Sequence, residues 1–280
     1  MIHKLSMVHP DAVIGDGTVV EAFAHIGGDV VIGKNCWIGP HAVIMDGTRM
    51  GDNCKVFPGA VVGAIPQDLK FNNEKSVVII GNNVTIRECC TINRGTKDLM
   101  RTEVMDNCLL MAYVHVAHDC VIHPNCILAN NVTLAGHIEI MEYAILGGMT
   151  AVHQFVKIGE HAMIGGVAKV RKDVPPFVKA DRDPLSYVGV NSIGLSRRGF
   201  TTEQIERIKD VYRCLFVLEN NLRFGIRRVE EELPDSPEKT RILEFVKASI
   251  ANHSPRRRGL MRGFRGREEP NNCKDTRANP

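Results

Sequence analysis

The sequence is poor in several features that would place it in a familiar class. Aromatic residues make up 5% of the 280 residues and there is one tryptophan, so large rings cannot fill the core. The sequence contains no run of eighteen apolar residues, so no segment is apolar over the length needed to span a membrane. The N-terminus MIHKLSMVHP lacks the apolar segment of a signal peptide. The net charge of +3 is too small to indicate a nucleic-acid partner. We therefore expect a cytoplasmic protein that binds no nucleic acid.

What the sequence does have is a repeat of six residues. Every sixth residue from Ile2 to Val62 is aliphatic, and the same register resumes over residues 80–92 and 104–170. All 26 of these repeat positions are Ile, Leu, Val or Met. A period of six fits neither a helix nor a long alternating strand, and is typical of a β-solenoid. If three six-residue faces close one coil, residues 18 apart stack at the strand spacing of about 4.8 Å.

The repeat also accounts for most of the nine cysteines. Six of them stand four residues after a repeat position, where alanine, threonine and valine alternate with them: Cys36, Cys54, Cys90, Cys108, Cys120 and Cys126. This pattern predicts small buried hydrophobic residues rather than metal ligands. Disulfides are not expected in a cytosolic chain.

Interruptions of the repeat divide the chain. Residues 63–79 and 93–103 break the register and predict loops that project from a column formed by residues 1–180. Prolines in VPPFVKADRDP are expected to end strand pairing near residue 180. Residues 181–252 carry apolar side chains at helical spacing and predict a small helical domain. The basic segment 253–280, rich in glycine and proline, is expected to be disordered.

The best candidate site lies within AYVHVAHDC, residues 112–120. A step of 18 residues places Gly136 above His118 and His137 above Asp119. Because residues that follow an inward-facing repeat position turn outward, we expect a histidine-rich stripe on the surface. His118 beside a carboxylate could serve as a general base, and the Gly136 N–H could stabilise an oxyanion. This arrangement suits acyl transfer without a covalent enzyme intermediate.

Two other chemistries are less well supported. Hexapeptide-repeat carbonic anhydrases bind zinc through one histidine and, two coils later, two histidines five residues apart. His118 and His123 have that gap, but Asn82 stands 36 residues before His118, so we expect no metal. Cys120 has a buried position without a feature that favours its thiolate, which argues against a cysteine nucleophile.

Several motifs together resemble the acyl-acyl-carrier-protein–UDP-N-acetylglucosamine O-acyltransferases of lipid A biosynthesis. They are PQDLKF (66–71), HVAHDC (115–120), ILANNVTLAGH (127–137), LGGMTAVHQF (146–155), DVPPFV (173–178) and GVNSIGLSRRGF (189–200). The resemblance covers residues 1 to about 252. It implies an all-β left-handed parallel β-helix followed by a small α-helical C-terminal domain. It also implies a homotrimer with active sites between neighbouring columns.

The same resemblance implies a reaction and a set of roles. An R-3-hydroxyacyl chain would pass from acyl carrier protein to the glucosamine 3-hydroxyl of UDP-N-acetylglucosamine, the first step of lipid A biosynthesis. The only prosthetic group would be the phosphopantetheine of the carrier. His118 would be the general base, Asp119 would orient it, and Gly136 would hold the oxyanion. The implied substrate contacts are Gln67, Asp68, Lys70, His115, His137, His153, Gln154, Asn191 and Arg198.

Two further roles come from the resemblance. Arg197 would contact the phosphopantetheine or the carrier protein. Gly166 matches the position where a bulky side chain shortens the acyl groove, so a glycine there predicts a long chain of about fourteen carbons. The sequence departs from the family pattern at ADRDP (180–184) and at Ile193, where glutamate is common. These departures leave open the ribose contacts and the choice between UDP-N-acetylglucosamine and its 3-amino analogue.

Three alternatives remain. A sister enzyme that N-acylates the glucosamine 2-amine has a nucleotide-binding domain before its repeats, whereas the repeat here begins at Ile2. An acetyl-CoA-dependent sugar acetyltransferase would share the fold but use another donor. A non-catalytic trimeric scaffold would keep the column with a vestigial site.

Overall fold

The computed structural model describes residues 1–218, 221–251 and 258–263. Short strands wind into a left-handed parallel β-helix with three faces, as the repeat and the resemblance predict. Its strands are β1 Met7–Val8, β2 Val13–Ile14, β3 Val19–Val20, β4 His25–Ile26, β5 Val30–Ile32, β6 Trp37–Ile38, β7 Val43–Ile44, β8 Thr48–Met50, β9 Lys55–Val56, β10 Val61–Ala64, β11 Val77–Ile80, β12 Thr85–Ile86, β13 Thr91–Asn93, β14 Arg101–Val104, β15 Leu109–Leu110, β16 His115–Val116, β17 Val121–Ile122, β18 Ile127–Leu128, β19 Thr133–Leu134, β20 Glu139–Ile140, β21 Ile145–Leu146, β22 Ala151–Val152, β23 Lys157–Ile158, β24 Met163–Ile164 and β25 Lys169–Val170.

Successive strands belong in turn to three parallel sheets, each containing every third strand. The first sheet runs from β1 to β25, the second from β2 to β23, and the third begins at β3. We call the turns from the first sheet to the second the first edge. Turns from the second sheet to the third form the second edge, and turns from the third back to the first form the third edge.

The strand register confirms the stacking of residues 18 apart and both interruptions. In the regular part of the column, partners lie 18 residues apart, as in His115 opposite Thr133. Val62 pairs with Ile92, and Ile80 pairs with Val104. These separations of 30 and 24 residues show that the two loops add twelve and six residues to the coils that carry them.

The repeat positions form the core. From Val20 to Val170 each is at most 4% exposed, and the six stacked cysteines are buried as well. Burying an aliphatic side chain contributes about 1.5–3 kcal/mol, so the stack is a continuous hydrophobic column. The repeat positions of the first coil are less buried, because no coil lies beneath them: Ile2 is 54% exposed, and Val8 and Ile14 are partly buried.

The turns of the second edge contain residues that tolerate a positive φ. Each needs one residue with positive φ, a conformation in which asparagine is the least strained residue after glycine. Five coils place asparagine there, with φ between 55° and 63°: Asn35, Asn53, Asn83, Asn107 and Asn125.

The prediction that strand pairing ends near residue 180 is wrong. Strand β26 (Val178–Asp181) stacks in parallel on β24 and forms an antiparallel pair with β27 (Ser186–Val190). The prolines at 175 and 176 precede β26, so they remove no N–H from this pairing. The helical part therefore begins only after residue 190.

The helical part consists of α1 Ser192–Arg197, α2 Thr202–Tyr212, α3 Leu222–Glu232 and α4 Pro237–Ile250. A π-helical segment, Arg213–Leu218, continues α2. Thr201 caps α2 in a reciprocal capping box with Gln204. None of the described helices is both long and apolar enough to cross a bilayer.

The expectation of disorder over residues 253–280 is wrong for residues 258–263. Strand β28 (Arg262–Gly263) pairs in parallel with β27, and Leu260 forms a bridge with Asp173. Leu260 and Met261 are buried, so apolar contacts that the basic composition does not reveal hold this segment. Residues 252–257 and 264–280 lie outside the described residues.

Candidate active site

At the first edge, the predicted catalytic residues His118 and Gly136 lie in successive turns, one above the other. The His137 N–H donates to His118 O at 3.1 Å, and the Phe155 N–H donates to Gly136 O at 3.2 Å. These bonds place the turn of His118 directly below the turn of Gly136, and Gln154 continues the column. The predicted juxtaposition of imidazole and glycine is therefore confirmed.

The contact between His118 and Gly136 requires a glycine. A Cβ added at Gly136 would lie 2.5 Å from Cε1 and 2.7 Å from Nε2 of the His118 ring, well inside van der Waals contact. The neighbouring N–H groups of Ala135 and His137 are bonded within the column. The Gly136 N–H has no acceptor among the described residues, so it can donate to a ligand.

Asp119 fixes the tautomer of His118. His118 Nδ1 lies 2.9 Å from Asp119 Oδ2. An ionised carboxylate only accepts hydrogen bonds, so Nδ1 carries the proton and Nε2 retains its lone pair. The His118 side chain is 14% exposed. A side chain that is not fully buried, with a lone pair on Nε2, meets the requirements of a general base.

Asp119 itself is not on the surface, and the expectation of an outward-facing stripe is wrong for this residue. Its side chain is fully buried because the second projecting loop folds back over it. Thr96 and Leu99 in that loop donate to its carboxylate. Burial by itself raises the pKa of Asp119, but the hydrogen bonds from His118, Thr96 and Leu99 outweigh it and lower the pKa to about 2.

His137 completes the cluster beside His118. Its Nδ1 lies 3.3 Å from Asp98 Oδ2 and 3.8 Å from Asp119 Oδ2. Its ring meets the His118 ring edge-on, with 5.0 Å between centroids, and stacks on Phe155 at 4.6 Å. Both histidines are thus held by aromatic and carboxylate contacts.

The cluster contains potential metal ligands. One ligand atom from each of His118, Asp119 and His137 lies within 4.8 Å of the other two. His118 Nδ1, however, carries the proton that it donates to Asp119, so it could bind a metal only by giving up that hydrogen bond. The absence of a metal stays a prediction.

The alignment of Asn82 with His118 is wrong. Asn82 lies at the second edge, where its side-chain amide donates to Asp106 at 3.3 Å. The two loops shift the count: Val62 lies two coils below Val116, so the residues below the turn of His118 are Gly63 and Ala64. Neither residue offers a ligand, so the case against the carbonic-anhydrase type of zinc site is unchanged.

The remaining histidines of the region lie around this column. His115 Nδ1 is 2.7 Å from Thr91 Oγ1, and burial lowers the pKa of His115. His153 is exposed, with its Nδ1 3.3 Å from Gln154 O. The same carbonyl accepts from Arg258 Nε at 2.8 Å, so the C-terminal segment reaches the rim of the candidate site.

The first projecting loop carries Gln67, Asp68 and Lys70. Asp68 Oδ1 accepts from the Lys70 N–H at 3.0 Å, which forms a turn. Gln67 and Lys70 are exposed, and Leu69 between them is fully exposed. Within the described chain the structure shows no contact between this loop and His118.

Residues predicted to meet the nucleotide or the carrier lie in α1 and at its two ends, and two of them contact His161 of the second edge. Asn191 is buried; its side chain caps α1 and donates to His161 O at 3.0 Å. Arg198 Nη1 lies 3.4 Å from His161 Nδ1, and the guanidinium covers the Tyr143 ring. Arg197 is exposed in the last turn of α1. The structure engages Asn191 internally, and its contact with substrate stays a prediction.

Gly166 lies at the third edge, apart from His118. A Cβ there would be 3.2 Å from Gly148 O, and the edge carries no side chain at either glycine. Met149 and Val167, the residues that follow the two glycines, are exposed and apolar. That Gly166 lines an acyl groove stays a prediction.

Sequence reasoning missed the residues that surround the cluster from one coil below, which are Thr96, Asp98 and Leu99 of the second loop and Thr102 of β14. A signal was present, because the loop leaves the column directly after Ile92, which pairs with Val116. That register places the loop one coil below the turn that carries His118.

Family models match most of the chain. Residues 173–261 match Udp N-acetylglucosamine O-acyltransferase, Domain 2. Residues 29–64 and 101–136 match the bacterial transferase hexapeptide (six repeats). The first match extends to residue 261, beyond the limit near 252 that the sequence motifs indicated.

Similar proteins agree over nearly the whole chain. An acyl-[acyl-carrier-protein]–UDP-N-acetylglucosamine O-acyltransferase from Chlorobaculum tepidum is 51% identical over 252 residues, which cover 90% of this chain and 96% of the relative. The enzyme of the same name from Chlorobaculum parvum is 58% identical over 254 residues, 86% of this chain and 94% of the relative. The crystal structure of a UDP-N-acetylglucosamine acyltransferase from Bacteroides fragilis has a TM-score of 0.88 at 44% identity, covering 94% of this chain and 100% of that one. The chain belongs to the family of acyl-[acyl-carrier-protein]–UDP-N-acetylglucosamine O-acyltransferases.

Proposed function

We propose that this protein transfers an R-3-hydroxyacyl chain from acyl carrier protein to the glucosamine 3-hydroxyl of UDP-N-acetylglucosamine, the first step of lipid A biosynthesis. The observation that carries the proposal is the hydrogen-bonded pair His118–Asp119 beneath the open N–H of Gly136. Family membership supports the choice of donor and acceptor.

The geometry supports a direct transfer. Nε2 of His118 removes the proton of the 3-hydroxyl as its oxygen attacks the thioester carbonyl. The Gly136 N–H donates to the oxyanion of the tetrahedral intermediate, and the buried carboxylate of Asp119 stabilises the imidazolium. Collapse of the intermediate breaks the C–S bond, and the leaving thiolate takes the proton back from His118. The products are the ester and the free carrier thiol.

No cofactor of the protein itself takes part in this scheme, because the phosphopantetheine belongs to the carrier. Cationic side chains are available for the anionic substrates. Arg198 would bind the pyrophosphate and Arg197 the phosphopantetheine or the acidic carrier, since guanidinium groups pair well with phosphate and carboxylate. Lys70, with Gln67 and Asp68 beside it, would reach the sugar nucleotide or the acyl group from the first loop.

We further propose that the enzyme is a cytoplasmic homotrimer with its sites between columns. Exposed apolar residues occur on several coils of the third edge: Leu5, Phe23, Tyr113, Met149 and Val167. Met149 and Val167 lie on neighbouring coils, whereas His41, Gly59, Cys89 and Asn131 occupy the equivalent turn positions of other coils. Exposed apolar side chains are a feature of interaction sites, and a flat face of one column has no opposite wall for an acyl chain. A second copy against this edge would supply that wall and cover the exposed side chains.

The acyl groove is proposed to pass Gly166, which leaves room for a long chain of about fourteen carbons. Purified enzyme should be assayed with carrier-bound R-3-hydroxyacyl chains of graded length, and the product identified by mass spectrometry. Preference for about ten carbons over fourteen would contradict the length assignment.

The same assay tests the substrates. UDP-N-acetylglucosamine and its 3-amino analogue should be compared as acceptors, and acetyl-CoA should be offered as the rival donor. We expect an ester product from the carrier-bound donor. Acetylation from CoA alone would identify a sugar acetyltransferase, acylation at the 2-amine would identify the N-acylating class, and no turnover with any pair would favour a scaffold.

A further inference from the structure

The second projecting loop closes over Asp119 instead of extending into solvent. Thr96 Oγ1 donates to Asp119 Oδ2 at 2.5 Å, and the Thr96 N–H donates to Oδ1 at 3.0 Å. The Leu99 N–H donates to Oδ1 at 3.2 Å. The N–H of Asp119 in turn donates to Thr102 Oγ1 at 2.9 Å. The loop therefore takes the place of water around both the carboxylate and its backbone.

One atom connects this loop to the proposed general base. Asp119 Oδ2 accepts both from Thr96 Oγ1 and from His118 Nδ1, the latter at 2.9 Å. If the carboxylate rotated about its terminal torsion, the bond to His118 would be lost together with the bond to Thr96. The threonine hydroxyl thus opposes the motion that would release the imidazole.

We propose that Thr96 is a positioning residue for acyl transfer, acting through Asp119 on the orientation of His118. The inference rests on the roles proposed above for His118 and Asp119. It gives the second projecting loop a function, which is to cover the Asp119 side of the His118–Asp119 pair and exclude water from it.

The charged groups around Asp119 determine the expected pH effect. His118 faces it from its own turn, His137 Nδ1 lies 3.8 Å away on the next coil, and Asp98 of the loop faces His137. Without the Thr96 hydroxyl, Asp119 loses one of the hydrogen bonds that lower its pKa, so its carboxylate becomes protonated at a higher pH. Since the ionised carboxylate holds His118 in the tautomer with a lone pair on Nε2, the acidic limb of the activity profile should move to higher pH.

The experiment compares Thr96→Val, Thr96→Ser and a matched control, Thr18→Val, in the full-length enzyme. Thr18 is also buried and its hydroxyl donates to Gly33 O at 2.8 Å, but it lies near the base of the column. For Thr96→Val we expect kcat to fall between about ten- and a hundredfold. KM for both substrates should stay within about twofold, and the acidic limb should shift upward. Thr96→Ser should restore kcat and the profile, and Thr18→Val should change neither.

Melting temperatures of all three variants separate positioning from folding. The proposal is overturned if Thr96→Val keeps the wild-type kcat and pH profile. It is also overturned if Thr18→Val loses as much activity at an equal loss of melting temperature. His118→Ala and Asp119→Asn are assayed in parallel. If both of these variants stay active, the assignment of His118 as the general base is wrong. If they lose activity and Thr96→Val stays active, only the proposal for Thr96 is wrong.

Discussion

At the scale of single residues, the candidate chemistry depends on three atoms: Nε2 of His118, Oδ2 of Asp119 and the amide nitrogen of Gly136. The carboxylate leaves the lone pair on Nε2, and the absence of a Cβ at Gly136 lets the ring approach the backbone. Each atom can be perturbed separately, which makes the arrangement testable one group at a time.

Removal of the base gives the first prediction. For His118→Ala we expect kcat to fall about 10²–10⁴-fold, the usual contribution of a general base, with the melting temperature retained. His25→Ala is the control, because His25 is an exposed histidine of β4, several coils away from the turn of His118. Steady-state kinetics of both variants test the role of His118, and unchanged turnover in His118→Ala would show that it is not the general base.

A methyl group at Gly136 gives the second prediction. Its Cβ would lie 2.5 Å from the His118 ring, so Gly136→Ala should push the ring aside and lower kcat by about a hundredfold. The same change in a His118→Ala background should have little further effect, because the clashing ring is gone. Equal losses in both backgrounds would show that the glycine acts without His118.

The pKa of Asp119 gives a third prediction, for stability. Its folded pKa of about 2 lies below the ordinary value near 3.9. The ionised carboxylate therefore stabilises the fold by about 2 kcal/mol above pH 4, and this contribution is lost as the pH falls from about 4 to about 2. Urea unfolding of the wild type and of Asp119→Asn should show a difference in unfolding free energy that shrinks from pH 7 to pH 3. A constant difference would contradict the buried ion.

At the scale of elements, the two loops and the C-terminal strand make contacts that the regular coils do not make. The coils repeat one pattern of burial and hydrogen bonding, whereas the second loop supplies the donors to Asp119. The segment 258–263 extends the third sheet through β28 and places Arg258 against the carbonyl of Gln154 and over the Phe155 ring. The segment 258–263 therefore forms part of the rim of the candidate site.

The C-terminal strand gives a fourth prediction. A chain ending at residue 251 loses β28 and the buried side chains of Leu260 and Met261. We expect calorimetry to show a melting temperature lower by about 3–10 °C. A chain ending at residue 263 keeps these contacts and should melt like the full chain. If the two truncations melt alike, the docked segment contributes nothing to stability.

At the scale of the whole molecule, His118 and Gly166 occupy different edges of one column. A single column presents flat faces between these edges, and the third edge exposes apolar side chains on several coils. The proposed trimer would cover these side chains and turn a flat face into a groove. Association would then be a condition of catalysis as well as of stability.

A charge on the third edge gives a fifth prediction. Met149 is 63% exposed in the single chain, so Met149→Glu should fold but place an unpaired carboxylate in the proposed interface. Analytical ultracentrifugation should show the mass of three 31.0-kDa chains for the wild type and a shift toward one for the variant, with loss of turnover. Val31→Glu, the same change from an exposed apolar side chain to a carboxylate but on β5 of the second sheet, should stay trimeric. A wild type that sediments as a single chain would exclude the trimer.

The sequence by itself determined the column, its core and the stacking of His118 beneath Gly136. Those features follow from a short period in which each unit buries the same positions, so counting residues is enough. Only the tertiary structure decided that Asp119 is buried, that Thr96 and Leu99 hold it, and that residues 258–263 add a strand. These contacts join segments outside the period through single hydrogen bonds and a few apolar side chains, and no local pattern in the sequence encodes which distant partner each will meet.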